Sequence, residues 1–238
     1  MGREDENAGL REGLRGIELF SELPDRDMEK VLSRVSVRRY KKGGVILHEE
    51  ETNEFIYMVI SGGAKVVRTS EDGKEMIIAM HPAGDFFGEI TLIDGKTVPA
   101  TVVAREDSVV GLISKGDFHA LLFSEAAISQ ALLRIMCGRL RDSWEKIRLL
   151  TYRNAALRIR SLLLMLAGQY GEETPEGEVL NVKLTHQSIA DMTNLTRETV
   201  TRMLDRLQKD GEIAMLKNRV IRLNPAFYQK DEAGFIRE

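Results

Sequence analysis

Two successive patterns of apolar positions mark the first 120 residues. From Leu14 to Leu32 the apolar side chains recur at helical spacing, with a break at Pro24. From residue 37 to residue 116 short β-rich runs alternate with turn signals, and ten of the 20 glycines lie there. Many short strands with regular turn punctuation predict an antiparallel barrel or jelly roll. The sequence SEDG at 70–73 predicts a hairpin turn, because Asp-Gly accepts the positive φ that such turns need.

A long amphipathic helix is predicted after the strands. Between Lys115 and Thr151 there is no proline, and one stripe repeats at steps of three or four residues. The stripe positions are Leu132, Met136, Leu140, Ser143, Ile147 and Leu150. A stripe on so long a helix needs a surface to bury against. A second copy of the chain supplies one in a coiled-coil-like seam, and the alternative is a helix packed across its own barrel.

The strongest local pattern lies at 185–206, THQSIADMTNLTRETVTRMLDR, and predicts a helix-turn-helix. Ala190 is small enough for one helix to cross the other, and Asn194 tolerates the left-handed backbone of the turn. Thr196 stands where the second helix needs an N-cap. The apolar positions expected to be buried are Ile189, Leu195, Val200 and Met203. Before the motif we expect a helix at 155–168 and a loop over GQYGEETPEG, and after it a basic hairpin that predicts the winged variant.

The first turns of the second helix carry the candidate base-reading residues, because in this motif they face the major groove. Arginine reads guanine through O6 and N7, and glutamate accepts a hydrogen bond from cytosine N4. The candidate base readers are Arg197, Glu198 and Arg202. The candidate contacts to the DNA backbone are Thr185, Gln187, Thr199, Thr201, Lys217 and Asn218. The alternative is an exposed ion-pair cluster, since Glu198 and Arg202 are four residues apart.

The charge of the chain is unevenly distributed. The formal charge of −3 for 238 residues, taken alone, argues against a nucleic-acid binder. Residues 1–133, however, carry −7 and residues 134–238 carry +4, and 134–160 holds eight basic and two acidic residues. This division favours a polyanion-binding module in the second part. The alternative is a solvated helix face rich in arginine.

Composition argues against several other classes. The one cysteine, Cys137, forms no internal disulfide and cannot by itself supply a zinc or iron–sulfur site, which fits a reducing cytoplasm. The charged N-terminal segment does not resemble a signal peptide, and no apolar run reaches the roughly 18 residues of a membrane span. The four histidines lack metal-ligand spacing, so we expect neither a metal site nor a cupin-type enzyme.

Several segments carry motifs of a known family. They are LFSELP at 19–24, YKKGGVILHEE at 40–50, YMVISGGAKV at 57–66, GDFFGEITLIDGK at 84–96, ATVVA at 100–104 and LTHQSIADMTNLTRETVTRML at 184–204. On these segments the chain resembles the cAMP receptor protein/FNR (Crp/Fnr) family of bacterial transcription regulators, from about Leu14 to Pro225.

The resemblance implies an α+β fold with an N-terminal cyclic-nucleotide-binding-like β-roll, a long dimerisation helix and a C-terminal winged helix-turn-helix. The expected domains are 1–120, 121–152 and 153–238. It also implies a cytoplasmic homodimer that binds an inverted repeat in double-stranded DNA, with RNA polymerase as a further partner. In this reading Arg197 and Arg202 contact guanines of a TGTGA-type half-site, and Glu198 contacts a cytosine on the opposite strand.

The effector pocket of the family is matched only in part. Gly88-Glu89 matches the pair that holds the ribose in cAMP-binding members. Val98-Pro99 stands where those members have the Arg-Ser pair that binds the cyclic phosphate, and Ser143-Trp144 replaces the pair that reads adenine. A buried phosphate without a cation is strongly unfavourable, so these residues count against cAMP. Gly88 and Glu89 then either line a pocket for another ligand or serve as scaffold.

The cofactor and the signal are left open by the sequence. A haem needs an axial ligand, and His81 is the nearest candidate, with His48 and His119 as available. Cys137 is either a small helix-interface residue or a redox switch. A cyclic-nucleotide-binding module of the kind attached to kinases and channels explains the β-roll and leaves the helix-turn-helix unexplained. Target genes, and activation as against repression, also stay open.

Overall fold

The computed structural model describes residues 3–70, 73 and 75–229, with side chains from Gly9 onwards. The chain folds into two compact units whose boundary lies between Gly138 and Arg139, within one long helix. The predicted domain boundaries at 120 and 152 do not coincide with this division, and they stay a proposal about function.

The first unit is a β-roll flanked by helices. Its described elements up to the end of the roll are α1 (Arg3–Arg15), a 3₁₀ turn (Glu18–Phe20), α2 (Asp25–Leu32), β1 (Ser36–Tyr40), β2 (Val45–Leu47), β3 (Phe55–Ser61), β4 (Gly63–Thr69), β5 (Glu75–Pro82), β6 (Phe86–Phe87), α3 (Glu89–Asp94), β7 (Thr101–Ala104) and β8 (Ser108–Ser114). These strands form two antiparallel sheets, in the orders β1-β8-β3-β6 and β2-β7-β4-β5. The predicted roll of short strands is confirmed.

The predicted hairpin around residue 72 is present as the pair β4 and β5. The two strands pair from Gly63 with Pro82 to Thr69 with Glu75. At the tip, the backbone N–H of Gly73 donates to the carbonyl of Ser70 at 2.8 Å. Glu71 and Asp72 lie outside the described residues, so the predicted role of Asp72 stays a prediction.

Strand β3 shows how the roll separates two apolar clusters. Side chains of a strand alternate between the two faces of its sheet. Ile56 and Met58 pack with the flanking helices, whereas Tyr57 and Val59 point into the roll. Phe86 and Phe87 of β6 divide in the same way, and the rings of Tyr57 and Phe87 stack with centroids 5.1 Å apart. Burial raises the pKa of Tyr57 to about 12.

The predicted long helix is in fact two helices, α4 (Lys115–Ser124) and α5 (Ala126–Thr151), bent by 106°. Glu125 leaves the helical conformation, with φ −119° and ψ 94°. Its carboxylate accepts a hydrogen bond from Lys30 Nζ at 2.7 Å. The predicted apolar stripe begins at Leu132, so its spacing carries no information about a break at Glu125. Within the described residues no single helix meets the length and apolarity of a membrane span, although the bent pair α4 and α5 meets them by length and composition.

The stripe predicted on α5 divides into two parts. Leu132 and Met136 pack into the core of the first unit, so at these positions the helix packs on its own barrel. Further along, Leu140, Trp144 and Ile147 are 52%, 59% and 62% exposed. Leu133, on an earlier turn of the same helix, is 67% exposed, so an uncovered apolar face extends along α5 from Leu133 to Ile147.

The second unit contains the later turns of α5 and a small α/β domain. Its other described elements are α6 (Ala155–Tyr170), β9 (Gly171–Thr174), β10 (Gly177–Leu180), α7 (His186–Thr193), α8 (Arg197–Lys209), β11 (Ile213–Met215), β12 (Ile221–Leu223) and α9 (Pro225–Gln229). The strands form one antiparallel sheet in the order β11-β12-β10-β9. The loop predicted over 168–177 is wrong, because α6 continues to Tyr170 and β9 and β10 form a hairpin. Its turn is closed by the Thr174 hydroxyl, which donates to the carbonyl of Gly177 at 2.6 Å.

Candidate nucleic-acid interface

Helix α7 begins and ends with the local geometry that a helix-turn-helix requires. Thr185 Oγ1 accepts from the backbone N–H of Ser188 at 2.9 Å, and Ser188 Oγ donates to the carbonyl of Thr185 and accepts from its N–H. Asn194 ends the helix with φ 52° and ψ 45°. The left-handed turn residue predicted from the sequence is thereby confirmed. Ala190 is fully buried where the two helices meet.

Helix α8 follows with its own N-cap. Thr196 Oγ1 accepts from the backbone N–H of Thr199 at 3.2 Å, which confirms the predicted cap. Val200 and Leu204 are almost fully buried and fix which side of the helix faces the core. Because helical residues four apart share a side, this burial turns Arg197, Glu198 and Arg202 outward, and all three are exposed.

The exposed side of α8 is a shallow depression of about 510 Å³, lined by Arg197, Glu198, Thr201, Arg202 and Asp205. We call it the α8 face. The structure therefore brings the three predicted base readers together on one surface. Within the described part of the chain, Glu198 and Arg202 form no ion pair. The ion-pair alternative is not observed, and both charged groups are available to a ligand.

The residues of the two helices that are predicted to contact the DNA backbone have different surroundings. Thr185 and Thr199 are half-buried and serve the helix caps. Gln187 is exposed, and its Nε2 donates to Asp191 Oδ1 at 2.7 Å. Thr201 Oγ1 donates to the carbonyl of Arg197 at 3.0 Å, so its hydroxyl proton is used within the helix.

The wing is a tight turn between β11 and β12. Asn218 and Arg219 have φ of 62° and 63°, the left-handed region in which asparagine is tolerated and arginine is uncommon. Leu216 N–H donates to Val220 O at 2.8 Å and closes the turn. Lys217, Asn218 and Arg219 are all exposed at its tip.

A second groove, of about 430 Å³, runs between the two helices and the wing. It is lined by Leu184, Thr185, His186, Gln187, Arg197, Met215 and Arg219. We call it the wing groove. Its lining includes Thr185 and Gln187, which are predicted to contact the DNA backbone, and the cationic side chains of Arg197 and Arg219. His186 was not predicted to be a site residue, because its link to α8 spans 15 positions: Nδ1 lies 2.8 Å from Thr201 Oγ1.

The surroundings of Gly88 leave no space for a side chain at this position. Gly88 has φ 90°, and a Cβ added there would lie 2.9 Å from the carbonyl oxygen of Phe55. The same position is held by Asn53, whose Nδ2 donates to the carbonyls of Gly88 and Phe55 at 3.1 and 2.8 Å. Glu89 is 2% exposed at the start of α3. The positive φ and the close backbone contact are together sufficient to explain a glycine at position 88.

The other predicted pocket residues are placed differently. Val98 is 3% exposed and packs in the apolar cluster inside the roll, whereas Pro99 is exposed. Backbone bonds from Glu50 N–H to Val98 O and from Val98 N–H to Glu51 O hold this segment. Ser143 and Trp144 belong to the second unit, where both are exposed.

The candidate haem ligands and Cys137 have ordinary surroundings. His81 is 6% exposed, its Nδ1 lies 2.7 Å from Asp85 Oδ2 and its ring stacks on Phe87. His119 Nε2 lies 2.9 Å from the carbonyl of Leu92, and His48 is exposed. Cys137 is exposed. In the described ranges no three His, Cys, Asp or Glu residues cluster as metal ligands.

Comparison with known proteins accounts for both units. Residues 37–125 match the family described as "Cyclic nucleotide-binding domain", and residues 157–226 match "Crp-like helix-turn-helix domain". The "cAMP-activated global transcriptional regulator CRP" of Salmonella typhimurium is 32% identical over 80% of this chain and 90% of its own length. The "Cyclic AMP receptor protein" of Thermus thermophilus is 28% identical over 94% of this chain and 97% of its own.

Solved structures agree with these matches. The structure of FixK2 from Bradyrhizobium japonicum is 25% identical, covers 84% of this chain and 99% of its own, and superposes with a TM-score of 0.72. The α+β fold predicted from the sequence is confirmed, from the roll through the long helix to the helix-turn-helix. On this identity over most of both chains, the protein belongs to the Crp/Fnr family of DNA-binding transcription regulators, which are not enzymes.

Proposed function

We propose that this protein is a homodimeric, sequence-specific transcription regulator that recognises an inverted repeat with TGTGA-like half-sites. The observation that carries the proposal is the α8 face, on which Arg197, Glu198 and Arg202 are exposed together and Glu198 and Arg202 form no pair with each other within the described residues. An acidic residue on a phosphate-facing surface is unfavourable unless it reads a base or orients a neighbouring arginine.

Each side chain of this face has a role that follows from its chemistry. Arg197 and Arg202 supply the paired N–H donors that suit guanine O6 and N7, and Glu198 supplies the acceptor that suits cytosine N4. Thr185, Gln187, Thr199, Thr201, Lys217 and Asn218 set the register against the sugar-phosphate backbone. These contacts position the helix, and the base contacts select the sequence.

The proposed dimer interface is formed by α5. Leu140, Trp144 and Ile147 leave a mostly exposed apolar face on this helix, and a second copy of the same face buries it with two-fold symmetry. Two recognition helices related by a two-fold axis read an inverted repeat when they lie about 34 Å apart, one turn of the duplex. The dimer acts in the cytoplasm and meets RNA polymerase at the promoter.

The signal that controls DNA binding acts at the junction of the β-roll and the long helix, and it is not cyclic AMP. Relatives carry cyclic AMP in their names, but in this chain Val98 fills the roll interior at the position that resembles the phosphate-binding arginine. A cyclic phosphate in this apolar cluster would lack a cation beside it, which is strongly unfavourable. Calorimetry with cAMP and cGMP tests this point. We expect no saturable binding, and micromolar binding would restore the cyclic-nucleotide-responsive alternative.

The DNA proposal is tested by fluorescence anisotropy. The full-length protein is titrated into a labelled TGTGA-N6-TCACA duplex and into a scrambled duplex of the same composition, each with and without cell extract to supply an effector. We expect tighter binding to the repeat in at least one of the two conditions. Equal binding to both duplexes in both conditions would contradict the proposal.

A further inference from the structure

The wing groove holds an imidazole whose orientation is set by the recognition helix. Thr201 Oγ1 donates its proton to the carbonyl of Arg197, four residues earlier, at 3.0 Å. A hydroxyl has one proton, so its 2.8 Å contact with His186 Nδ1 requires an N–H on that nitrogen. A neutral imidazole with Nδ1 protonated carries a lone pair on Nε2. His186 therefore offers an acceptor rather than a donor at its second nitrogen.

Two of the side chains that line the wing groove with His186 are cationic. Arg197 of α8 and Arg219 of the wing line the same groove, and Leu184 and Met215 complete it with apolar surface. The carboxylate of Asp191 on α7 is 8% exposed and accepts from Gln187. Two guanidinium groups make the groove attractive to an anion.

We propose that His186 binds a DNA phosphate in its protonated form, so that DNA binding takes up a proton at each recognition unit. The inference rests on the proposed DNA-binding function. A phosphate oxygen beside the Nε2 lone pair is repelled, whereas protonation converts Nε2 to a charge-assisted donor to that oxygen. Nδ1–H keeps its bond to Thr201 in both states, so the ring does not need to turn.

Imidazole is the side chain that ordinarily changes charge between about pH 5 and pH 8. The contact with phosphate therefore makes the affinity for DNA higher at lower pH. Each proton taken up on binding changes the dissociation constant by up to about tenfold per pH unit. The proposed dimer carries two such sites. The effect concerns phosphate contact, and it therefore acts on specific and scrambled duplexes alike.

The test is the pH dependence of anisotropy titrations between about pH 6 and pH 8 at constant ionic strength, the range in which imidazole changes charge. Wild type is compared with His186→Gln, which is never charged, and His186→Arg, which is always charged. His48→Gln is the matched control, because His48 is exposed and belongs to the first unit, whereas α7 and α8 belong to the second. Circular dichroism at each pH verifies that all variants are folded.

We expect wild type and His48→Gln to bind at least about tenfold more weakly at the upper pH than at the lower one, with both His186 variants nearly flat. Equal pH slopes in wild type and His186→Gln would overturn the inference while leaving DNA recognition intact. A flat wild-type profile would also overturn it, because DNA binding would then take up no proton. Absence of preference for the repeat at every pH would instead remove the proposed function, and the inference with it.

Discussion

The guanidinium of Arg160 lies over the ring of Phe227, 4.4 Å from its centroid. The same group forms an ion pair with Glu212, whose side chain is 4% exposed, and donates to the backbone carbonyl of Phe227. One side chain of α6 thus joins the segment before β11 to the C-terminal helix α9. The wing and the recognition helix are both attached to this segment, so the pair supports the geometry of the α8 face.

We predict that Arg160→Met lowers the free energy of unfolding of the second unit by about 3 kcal/mol, because it removes the cation beside a buried carboxylate. Urea denaturation followed by circular dichroism measures the change. Arg206→Ala is the control, since Arg206 is 73% exposed and its loss should cost about 0.5 kcal/mol or less. Adding Glu212→Leu to Arg160→Met should recover part of the loss. Equal stability of the two single variants would contradict this account of the pair.

Local rules predicted the helix-turn-helix better than they predicted the long helix. Asn194 and Thr196 act through bonds to residues within five positions, so their roles can be inferred from the sequence. At the break, Glu125 is bonded to Lys30, 95 positions away, and in the hairpin that replaces the loop over 168–177 strand β10 pairs with β12. Neither contact can be inferred from neighbouring residues in the sequence. His186 escaped prediction for the same reason, since its partner Thr201 lies on the other helix.

A second prediction concerns base readout. Arg202→Ala should lose about 1–3 kcal/mol of discrimination at one guanine of the half-site, because a bidentate contact is removed. Anisotropy with duplexes substituted at single positions measures it. Lys217→Ala is the contrast, since a wing lysine on a phosphate should weaken all sequences alike. If Arg202→Ala also weakens every duplex equally, then Arg202 contacts only phosphate.

A third prediction concerns the dimer. Ile147→Glu should weaken self-association by at least about tenfold, because it places a charge in the apolar face of α5. Sedimentation equilibrium measures the dissociation constant. Arg141→Glu introduces the same charge at an exposed position outside the stripe and should have a much smaller effect. An unchanged dimer in Ile147→Glu would mean that the two copies associate through another surface.

A fourth prediction follows from the pKa of Tyr57, which burial raises from 10.0 to about 12. Between these values the unfolded chain releases the phenolic proton and the folded chain retains it. The free energy of unfolding is therefore unaffected below pH 10 and falls as the pH rises through 12, by about 3 kcal/mol in total. Tyr57→Phe should lose this part of the alkaline destabilisation. Tyr228→Phe, at an exposed position, should keep it, and parallel profiles for wild type and Tyr57→Phe would contradict the burial argument.

The most direct test of the central claim is selection of binding sites from a library of random duplexes by the full-length protein, followed by sequencing of the bound fraction. The account predicts enrichment of an inverted repeat with TGTGA-like half-sites whose centres lie about one helical turn apart. It also predicts that the Arg202→Ala protein enriches the same repeat with relaxed preference at one guanine of each half-site. Enrichment of an unrelated sequence or of a solitary half-site, or no enrichment with cell extract present, would contradict it.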